Sequence, residues 1–424
     1  MEMSIDPRAK WLGEVPAHWK FYRGKYVFAQ RNTKGNMKTL QLLSPTQHYG
    51  VIPQEKLEEL TNANVVKVKD NTDLSSFKTI HVGDYCISLR SFQGGFEYSE
   101  YEGVVSPAYQ VFYPTVEVCP RYYKYFFKDR SFIDEMNSHT MSLRDGKNIA
   151  FSDFGNTYIP VPPLDEQEAI ADFLDRNCRE VELLISNLER ELDILNKYKQ
   201  TVIIETVTRG LDKNAEMKAS GAGWMPVIPA HWKVDKFKYH LKYCGLRNPG
   251  DCEVLSLYRE LGVVPKEGRD DNHNVTSEDT STYKYVRAGD FVVNKMKAWQ
   301  GSVAVSEYEG IVSPAYFVYR FTDEKFHKRY FHYLLRNRTY ATEFMRLSGG
   351  MRVGQWDLPA AALENIAVLI PPMDEQIAIA DYLDGKCKEV EVIISKKEEQ
   401  LSVLNQYKQS LIFECITGKK GVLV

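Results

Sequence analysis

The sequence lacks any long apolar run. Its 424 residues include no stretch of about 18 consecutive apolar side chains, and no apolar segment follows a basic amino-terminal stretch. We therefore expect neither a membrane span nor export. The seven cysteines occur without a CxxC pair or a clustered histidine partner. This pattern argues for reduced thiols in a cytoplasmic protein and against a zinc site.

Catalytic signatures are also absent from the sequence. It contains no GxSxG, HExxH or DxExK-like motif and no paired catalytic His and Cys. Gly349 and Gly354 have the spacing of a phosphate-binding loop, but Gln355 stands where that loop requires lysine. His18 and His231 recur in two PAHWK segments, where we expect them to cap or pack a turn. We therefore expect no catalysis and no metal in this chain.

The chain does contain an internal repeat. YEGVVSPAYQVF at 101–112 returns as YEGIVSPAYFVY at 308–319, and PPLDEQEAIADFLD at 162–175 returns as PPMDEQIAIADYLD at 371–384. The offset between copies drifts, which indicates insertions and deletions in surface loops. A repeat this long is typical of tandem domain-and-helix units and too long for a solenoid. The predicted segments are two domains at 1–162 and 213–370 and two helices at 163–212 and 371–424.

Apolar residues recur at heptad spacing in both predicted helices, which favours their pairing as an antiparallel coiled coil. The seam residues are Leu174, Cys178, Val181, Ile185, Leu188, Leu192, Leu195 and Val202 in the first helix, and Leu383, Cys387, Val390, Ile394, Leu401, Leu404 and Leu411 in the second. A proline pair precedes each helix, and Asp165 and Asp374 are predicted as N-caps. Lys397 replaces Leu188 at the seam; it either sets the register of the pair or extends into water.

Both domain segments alternate short apolar runs with helical patches, which predicts α/β (α+β) domains. HVGDYCISL at 81–89 and RAGDFVVNK at 287–295 indicate a turn followed by a buried strand, and YYKYFFKDRSFIDEM at 122–136 and YFHYLLRNRTYATEF at 330–344 have helical periodicity. The predicted fold is two similar domains, each followed by a long helix, with pseudo-two-fold symmetry.

Charge is distributed unevenly over these segments. The net charge of the chain is −3, but the two domain segments carry +1 and +4, while the two helical segments carry −6 and −2. The domains are therefore only mildly basic. If they bind nucleic acid, we expect a modest contribution from phosphate contacts.

Three polar loops in each copy carry side chains suited to reading DNA. Arg and Lys can bind guanine edges, Gln can bind adenine edges, and glycine lets a loop approach closely. For any single residue, a solvated charge or a hairpin staple is the structural alternative. The candidates are Gln47, His48, Arg90, Phe92, Gln93, Arg144 and Lys147 in the first copy, and Tyr258, Arg259, Lys295, Lys297, Trp299, Gln300, Arg352 and Gln355 in the second.

The chain resembles the specificity subunit of type I restriction-modification enzymes over essentially its whole length. The resemblance rests on the tandem arrangement, the SPAY segments, the proline-started helices and the NKYKQ and NQYKQ helix ends. It implies a non-catalytic subunit with two target-recognition domains, each reading half of a split DNA sequence, held apart by helices that set the spacer. It also implies two modification subunits, which methylate adenine, and restriction subunits when present. We expect S-adenosylmethionine, ATP and Mg on those partners and no cofactor in this chain.

Because the loops differ between the copies, as Gln47 does from Arg259 and Lys147 from Gln355, we expect the two half-sites to differ in sequence. The main alternative is a coiled-coil scaffold that joins two proteins and has no DNA specificity. A second alternative is a methyltransferase that acts alone.

Overall fold

The computed structural model describes residues 2–35, 40–61, 76–87, 95–139, 149–250, 252–259, 261–266, 279–350 and 356–422. The chain forms two compact units. Unit 1 consists of Met1–Leu188 and Glu399–Val424, and unit 2 of Glu189–Glu398. Each unit contains one half of each of two long helices.

Unit 1 is built from short strands and helices ahead of the first long helix. Its described strands are β1 (Met3–Ile5), β2 (Glu14–Pro16), β3 (Lys20–Arg23), β4 (Phe28–Arg31), β5 (Leu43–Thr46), β6 (Gly50–Pro53), β7 (Lys78–Ile80), β8 (Tyr85–Ile87), β9 (Phe96–Tyr98), β10 (Gly103–Val105), β11 (Gln110–Pro114) and β12 (Tyr158–Val161). Its helices are α1 (Gly24–Val27), α2 (Gln54–Thr61), α3 (Pro120–Phe126), α4 (Arg130–His139), α5 (Phe151–Asn156) and the first half of α6 (Leu164–Arg209).

Unit 2 repeats this succession of elements. Its described strands are β13 (Met217–Ala222), β14 (Met225–Pro229), β15 (Lys233–Lys236), β16 (Leu241–Tyr243), β17 (Leu255–Tyr258), β18 (Gly262–Pro265), β19 (Lys284–Val286), β20 (Phe291–Asn294), β21 (Val303–Val305), β22 (Gly310–Val312), β23 (Tyr316–Phe321) and β24 (Ala367–Ile370). Its helices are α7 (Lys328–Arg336), α8 (Arg338–Leu347), α9 (Ala360–Glu364) and the first half of α10 (Met373–Ile416).

The two units have the same sheet topology, in agreement with the sequence repeat. Unit 1 contains an antiparallel sheet in the order β4-β11-β8-β9, and unit 2 contains one in the order β16-β23-β20-β21. Smaller antiparallel pairs correspond one to one, such as β5-β6 with β17-β18 and β3-β12 with β15-β24. The predicted mixture of helices and strands is confirmed.

Aromatic rings fill both cores. In unit 1, Phe28 lies within 6 Å of several buried rings, including that of Tyr123 at 5.1 Å between centroids. In unit 2, Phe237 contacts Tyr319 edge to face at 5.0 Å. Side chains this large remove much apolar surface from water, which is the main force that closes each core.

Each helical patch predicted between 122 and 136 and between 330 and 344 is two helices in the structure. A capping side chain interrupts each patch. Asn337 accepts hydrogen bonds from the backbone N–H groups of Thr339 and Tyr340, and Asp129 accepts one from Ser131. Short polar side chains of this kind favour a helix start over a helix interior.

The long helices begin two residues earlier than the predicted N-caps imply. The backbone N–H of Gln167 donates to the carbonyl of Pro163, and that of Gln376 donates to Pro372. Each proline is therefore the N-cap, and the prediction that Asp165 and Asp374 cap the helices is wrong. These carboxylates lie in the first turn, where the helix dipole still favours negative charge.

The two long helices pair antiparallel, as predicted. In unit 2, Glu391 pairs with Lys199 and Lys397 pairs with Glu191, so that residue numbers fall along one helix as they rise along the other. In unit 1, Lys408 pairs with Glu182 at 2.6 Å. The predicted seam residues are buried or half-buried: Leu174, Val181, Ile185, Leu188, Leu192, Leu195, Leu383, Val390, Ile394, Leu401 and Leu404.

Each long helix is tied to its domain by an acidic residue in its first turn. Glu166 accepts hydrogen bonds from Trp19 at 2.9 Å and lies 2.6 Å from Nε2 of His18. Glu375 makes the same contacts with Trp232 and His231, at 3.0 and 2.8 Å. The recurring histidines thus take part in a structural junction.

Candidate nucleic-acid interface

One β-hairpin in each unit presents predicted DNA-reading residues. The β5-β6 turn of unit 1 exposes Gln47 and His48. The equivalent β17-β18 turn of unit 2 exposes Arg259, while Tyr258 is half-buried at the strand end. The two hairpins therefore offer different polar groups from the same position in the fold.

A glycine with a left-handed backbone begins the second strand of each hairpin. Gly50 and Gly262 both have a positive φ, 66° and 76°. A Cβ atom on Gly50 would lie 2.8 Å from the carbonyl oxygen of Tyr98, the last residue of β9, whereas one on Gly262 would make ordinary contact, 3.4 Å from Ala304. A larger residue would strain the backbone at either position and, at Gly50, would also push the hairpin away from β9.

The candidate loop at 295–300 is partly ordered by internal contacts. Gly301, with φ of 86°, ends a 3-10 helix at Ala298–Gln300. Trp299 donates to the carbonyl of Met296 at 3.0 Å, and its ring contacts that of Trp356 at 5.3 Å. The Trp299 indole therefore packs within the loop and in part staples it.

The lysines of this loop differ in their surroundings. Lys295 forms an ion pair with Asp357 at 2.8 Å and is half-buried. Lys297 and Gln300 are exposed. The polar groups of Lys297 and Gln300 are therefore more accessible to a ligand than the ammonium group of Lys295.

Unit 2 contains a cavity of about 1260 Å³ that brings some candidates together. Arg259, Trp299 and Gln300 all line it. Basic residues that the sequence did not single out also line it, most of them from KRYFHYLLRNR at 328–338. Those residues are Lys199, Lys328, Arg329, Arg336 and Arg338.

Cations outnumber anions in this cavity. Its acidic residues are Glu307, Asp384 and Glu391. Two of them are paired with cations from the lining, Glu391 with Lys199 and Asp384 with Arg329. The excess of positive charge therefore lies where α7 meets α8, close to the hairpin, and suits an anionic ligand such as a phosphodiester backbone.

A neutral histidine orders one of these cations. Burial, reinforced by the charge of Arg336, lowers the pKa of His332 to about 3. Its Nε2 atom lies 2.6 Å from the guanidinium of Arg336. The imidazole accordingly accepts a hydrogen bond from Arg336 at neutral pH.

A buried acid occupies the corresponding region of unit 1. Glu97 on β9 is 1% exposed and forms an ion pair with Lys128 at 2.6 Å. Burial raises the pKa of Glu97 to about 7, against the opposing effect of Lys128. The pair lies behind the Gln47 turn, because the same lysine also contacts the Gln47 carbonyl.

Seven candidate residues lie outside the described residues. They are Arg90, Phe92, Gln93, Arg144, Lys147, Arg352 and Gln355. Within the described part of the chain, no helix is long and apolar enough to cross a membrane. In that same part, no group of three or more His, Cys, Asp or Glu side chains could hold a metal ion.

Comparison with known families gives one match over most of the chain. The family described as the type I restriction modification DNA specificity domain matches residues 17–192 and again residues 251–402. The two matched segments follow the internal repeat.

Similar proteins include the type I restriction enzyme MjaVIII specificity subunit of Methanocaldococcus jannaschii, 25% identical over 63% of this chain and 63% of that protein. The EcoBI specificity subunit of Escherichia coli is 25% identical over 70% of this chain and 66% of its own length. The matches thus span about three fifths to two thirds of these relatives. A solved chain from work on assembly and conformational transition of the type I R-M system has a TM-score of 0.68 at 14% identity, covering 96% of this chain and 99% of that one, which shows a shared fold.

Proposed function

Because the chain belongs to the family of type I restriction modification DNA specificity domains, we propose that it is the DNA-recognition subunit of such a system. Each unit reads one half of a split target, and the paired helices separate the two halves by a fixed spacer. The chain itself performs no catalysis.

The observation that carries this proposal is the contrast between framework and hairpin tips. Sheet topology, helix starts and the Glu166 and Glu375 junctions are the same in both units. The exposed hairpin residues differ, with Gln47 in unit 1 and Arg259 in unit 2. Because Gln suits adenine edges and Arg suits guanine edges, two such readers favour an asymmetric target.

The partners follow from the same assignment. We propose that two modification subunits bind the chain and methylate adenine with S-adenosylmethionine, and that restriction subunits, where present, use ATP and Mg. The chain contributes no cofactor site. We place it in the cytoplasm, where its seven free cysteines would stay reduced.

The test is a binding selection from random duplexes, with the chain purified in complex with its modification subunit. We expect one split sequence to be enriched. Arg259→Ala should relax the preference at one base position by about tenfold or more. Gln47→Ala is the matched control, because it should act on the other half-site only.

Equal, weak binding to every duplex would contradict this function and favour the coiled-coil scaffold. Binding of S-adenosylmethionine by the isolated chain in calorimetry would favour the remaining alternative, a methyltransferase that acts alone.

A further inference from the structure

We propose that Lys128 in unit 1 and Arg336 in unit 2 are positioning residues for base recognition. Each donates a hydrogen bond to a main-chain carbonyl at the tip of its hairpin. The side chain at that tip, Gln47 or Arg259, is thereby held in a fixed geometry when it contacts a base edge. This inference rests on the proposed function and adds to it the residues that set the reading geometry.

The two cations make the same contact in the two units. Lys128 Nζ donates to the carbonyl oxygen of Gln47 at 3.4 Å. The guanidinium of Arg336 donates to the carbonyl oxygen of Arg259. Lys128, just after α3, and Arg336, at the end of α7, are equivalent positions of the repeat, and Gln47 and Arg259 are equivalent residues of the hairpin.

The contact is made to the main chain of a predicted base reader. A backbone carbonyl is present whatever side chain the residue has. The anchor therefore fixes the position of the hairpin tip while the side chain at that tip is free to differ, as Gln47 differs from Arg259. A base-reading side chain held in this way loses less conformational entropy on binding DNA, which strengthens discrimination between bases.

Each anchoring cation is held in turn by a second group, and that group differs between the units. Lys128 pairs with the buried Glu97 on β9 at 2.6 Å. The equivalent residue on β21 is Ala304, and Arg336 instead binds His332, one turn earlier on α7, at 2.6 Å. A second side chain therefore orders the anchoring cation in both units. It is a buried carboxylate in unit 1 and a neutral imidazole in unit 2.

The variants must remove the anchor without leaving a buried charge unpaired. Lys128→Met alone would leave Glu97 buried without a counter-ion, which can unfold the unit. The double variant Lys128→Met with Glu97→Gln removes both charges. Arg336→Met needs no second change, because His332 is neutral, and Arg336→Lys keeps a cation within reach of the carbonyl.

The experiment measures competition between the selected target duplex and duplexes altered in one half-site, using the complex with the modification subunit. Arg336→Met should reduce discrimination at the half-site that responds to Arg259→Ala by about tenfold and leave the other half-site unchanged. The double variant Lys128→Met with Glu97→Gln should instead reduce discrimination at the half-site that responds to Gln47→Ala and leave the first half-site unchanged. Arg336→Lys should restore most of the discrimination, and melting temperatures should show that the variants remain folded.

Two results would overturn the inference. Unchanged discrimination in the folded variants would show that the anchors do not act on recognition. A uniform loss of affinity for all duplexes, with a shallower salt dependence, would show that the cations bind phosphates. A wild-type complex without any sequence preference would instead overturn the proposed function itself, and this inference with it.

Discussion

At the scale of single residues, the two units keep a contact while changing which side chain makes it. Asp84 belongs to the Gly-Asp turn of unit 1 and pairs with Arg31 on β4 at 2.7 Å. Its counterpart Asp290 pairs at 2.8 Å with Arg320, which lies on β23. The strand of unit 2 that corresponds to β4 is β16, and β23 lies next to it in the sheet. A cation on either of these neighbouring strand positions can therefore reach the carboxylate of the turn. The fold thus fixes the position of the positive charge beside the aspartate, but it allows arginines from different strands to supply that charge.

The buried acid of unit 1 gives a prediction on pH. The pKa of Glu97 is about 7 in the folded chain, against an ordinary value of 4.5. A raised pKa of this kind stabilises the folded state below pH 4.5, and that contribution is lost as pH rises through about 7. Between these limits the unfolding free energy of unit 1 should fall by an amount on the order of 3 kcal/mol.

Urea unfolding at pH 5 and pH 7.5 checks this expectation, with Glu97→Gln as the comparison. The variant should lose most of the difference between the two pH values. An unchanged difference would mean that Glu97 does not titrate in this range.

Contacts of this kind could not be predicted from the sequence. Glu97 and Lys128 are 31 positions apart, and no local sequence pattern links them. Their pairing depends on how the segment after α3 packs against β9, which is a property of the tertiary structure. The basic lining of the unit 2 cavity was missed for the same reason, because Arg336 and Arg338 occur among aromatic residues with an obvious role in the core.

At the scale of elements, the long helices were the most predictable part of the chain. Their heptads are a local pattern, and the predicted seam residues lie on the buried side. The N-caps were wrong by two residues because the choice between Pro163 and Asp165 depends on backbone geometry. The strands after Gly83 and Gly289 were predicted correctly, since a turn glycine followed by an apolar run is also a local signal.

The charge at the seam gives a prediction for the helix pair. Lys397 is half-buried and pairs with Glu191 on the partner helix, so it is ordered by an ion pair and not merely extended into water. Lys397→Glu should place two like charges together and lower the unfolding free energy by about 1 kcal/mol. Adding Glu191→Lys should restore most of this loss.

Denaturant unfolding of the two variants measures the effect. Lys396→Glu is the matched control, since Lys396 is exposed one residue earlier on the same helix. Equal losses for the two single variants would show that the cross-helix pair contributes nothing.

At the scale of the whole molecule, unit 1 is completed by the last part of the chain. Leu411, Cys415 and Ile416 lie in its core at 2% exposure or less. Tyr122, fully buried, donates to the carbonyl of Ile416 at 2.9 Å. Gly418 packs so closely on Pro16 that a Cβ atom would lie 2.4 Å from that ring.

Removal of residues 399–424 should therefore unfold unit 1 selectively. The deletion takes away three core side chains and exposes the apolar surface that they covered. Unit 2 consists of Glu189–Glu398 and loses nothing. Hydrogen exchange of the truncated chain should show lost protection in β4, β8 and β11 and retained protection in β16, β20 and β23. Retained protection in both groups of strands would contradict this dependence.

The same arrangement constrains the order of events during synthesis on the ribosome. Unit 2 is one continuous segment, and its sequence is complete once residue 398 has been added. Unit 1 begins at the first residue but cannot close its core until Ile416 has left the exit tunnel. Domains generally fold in the order in which they are made. Of the two units, the one whose translation starts earlier is therefore the one that finishes folding later.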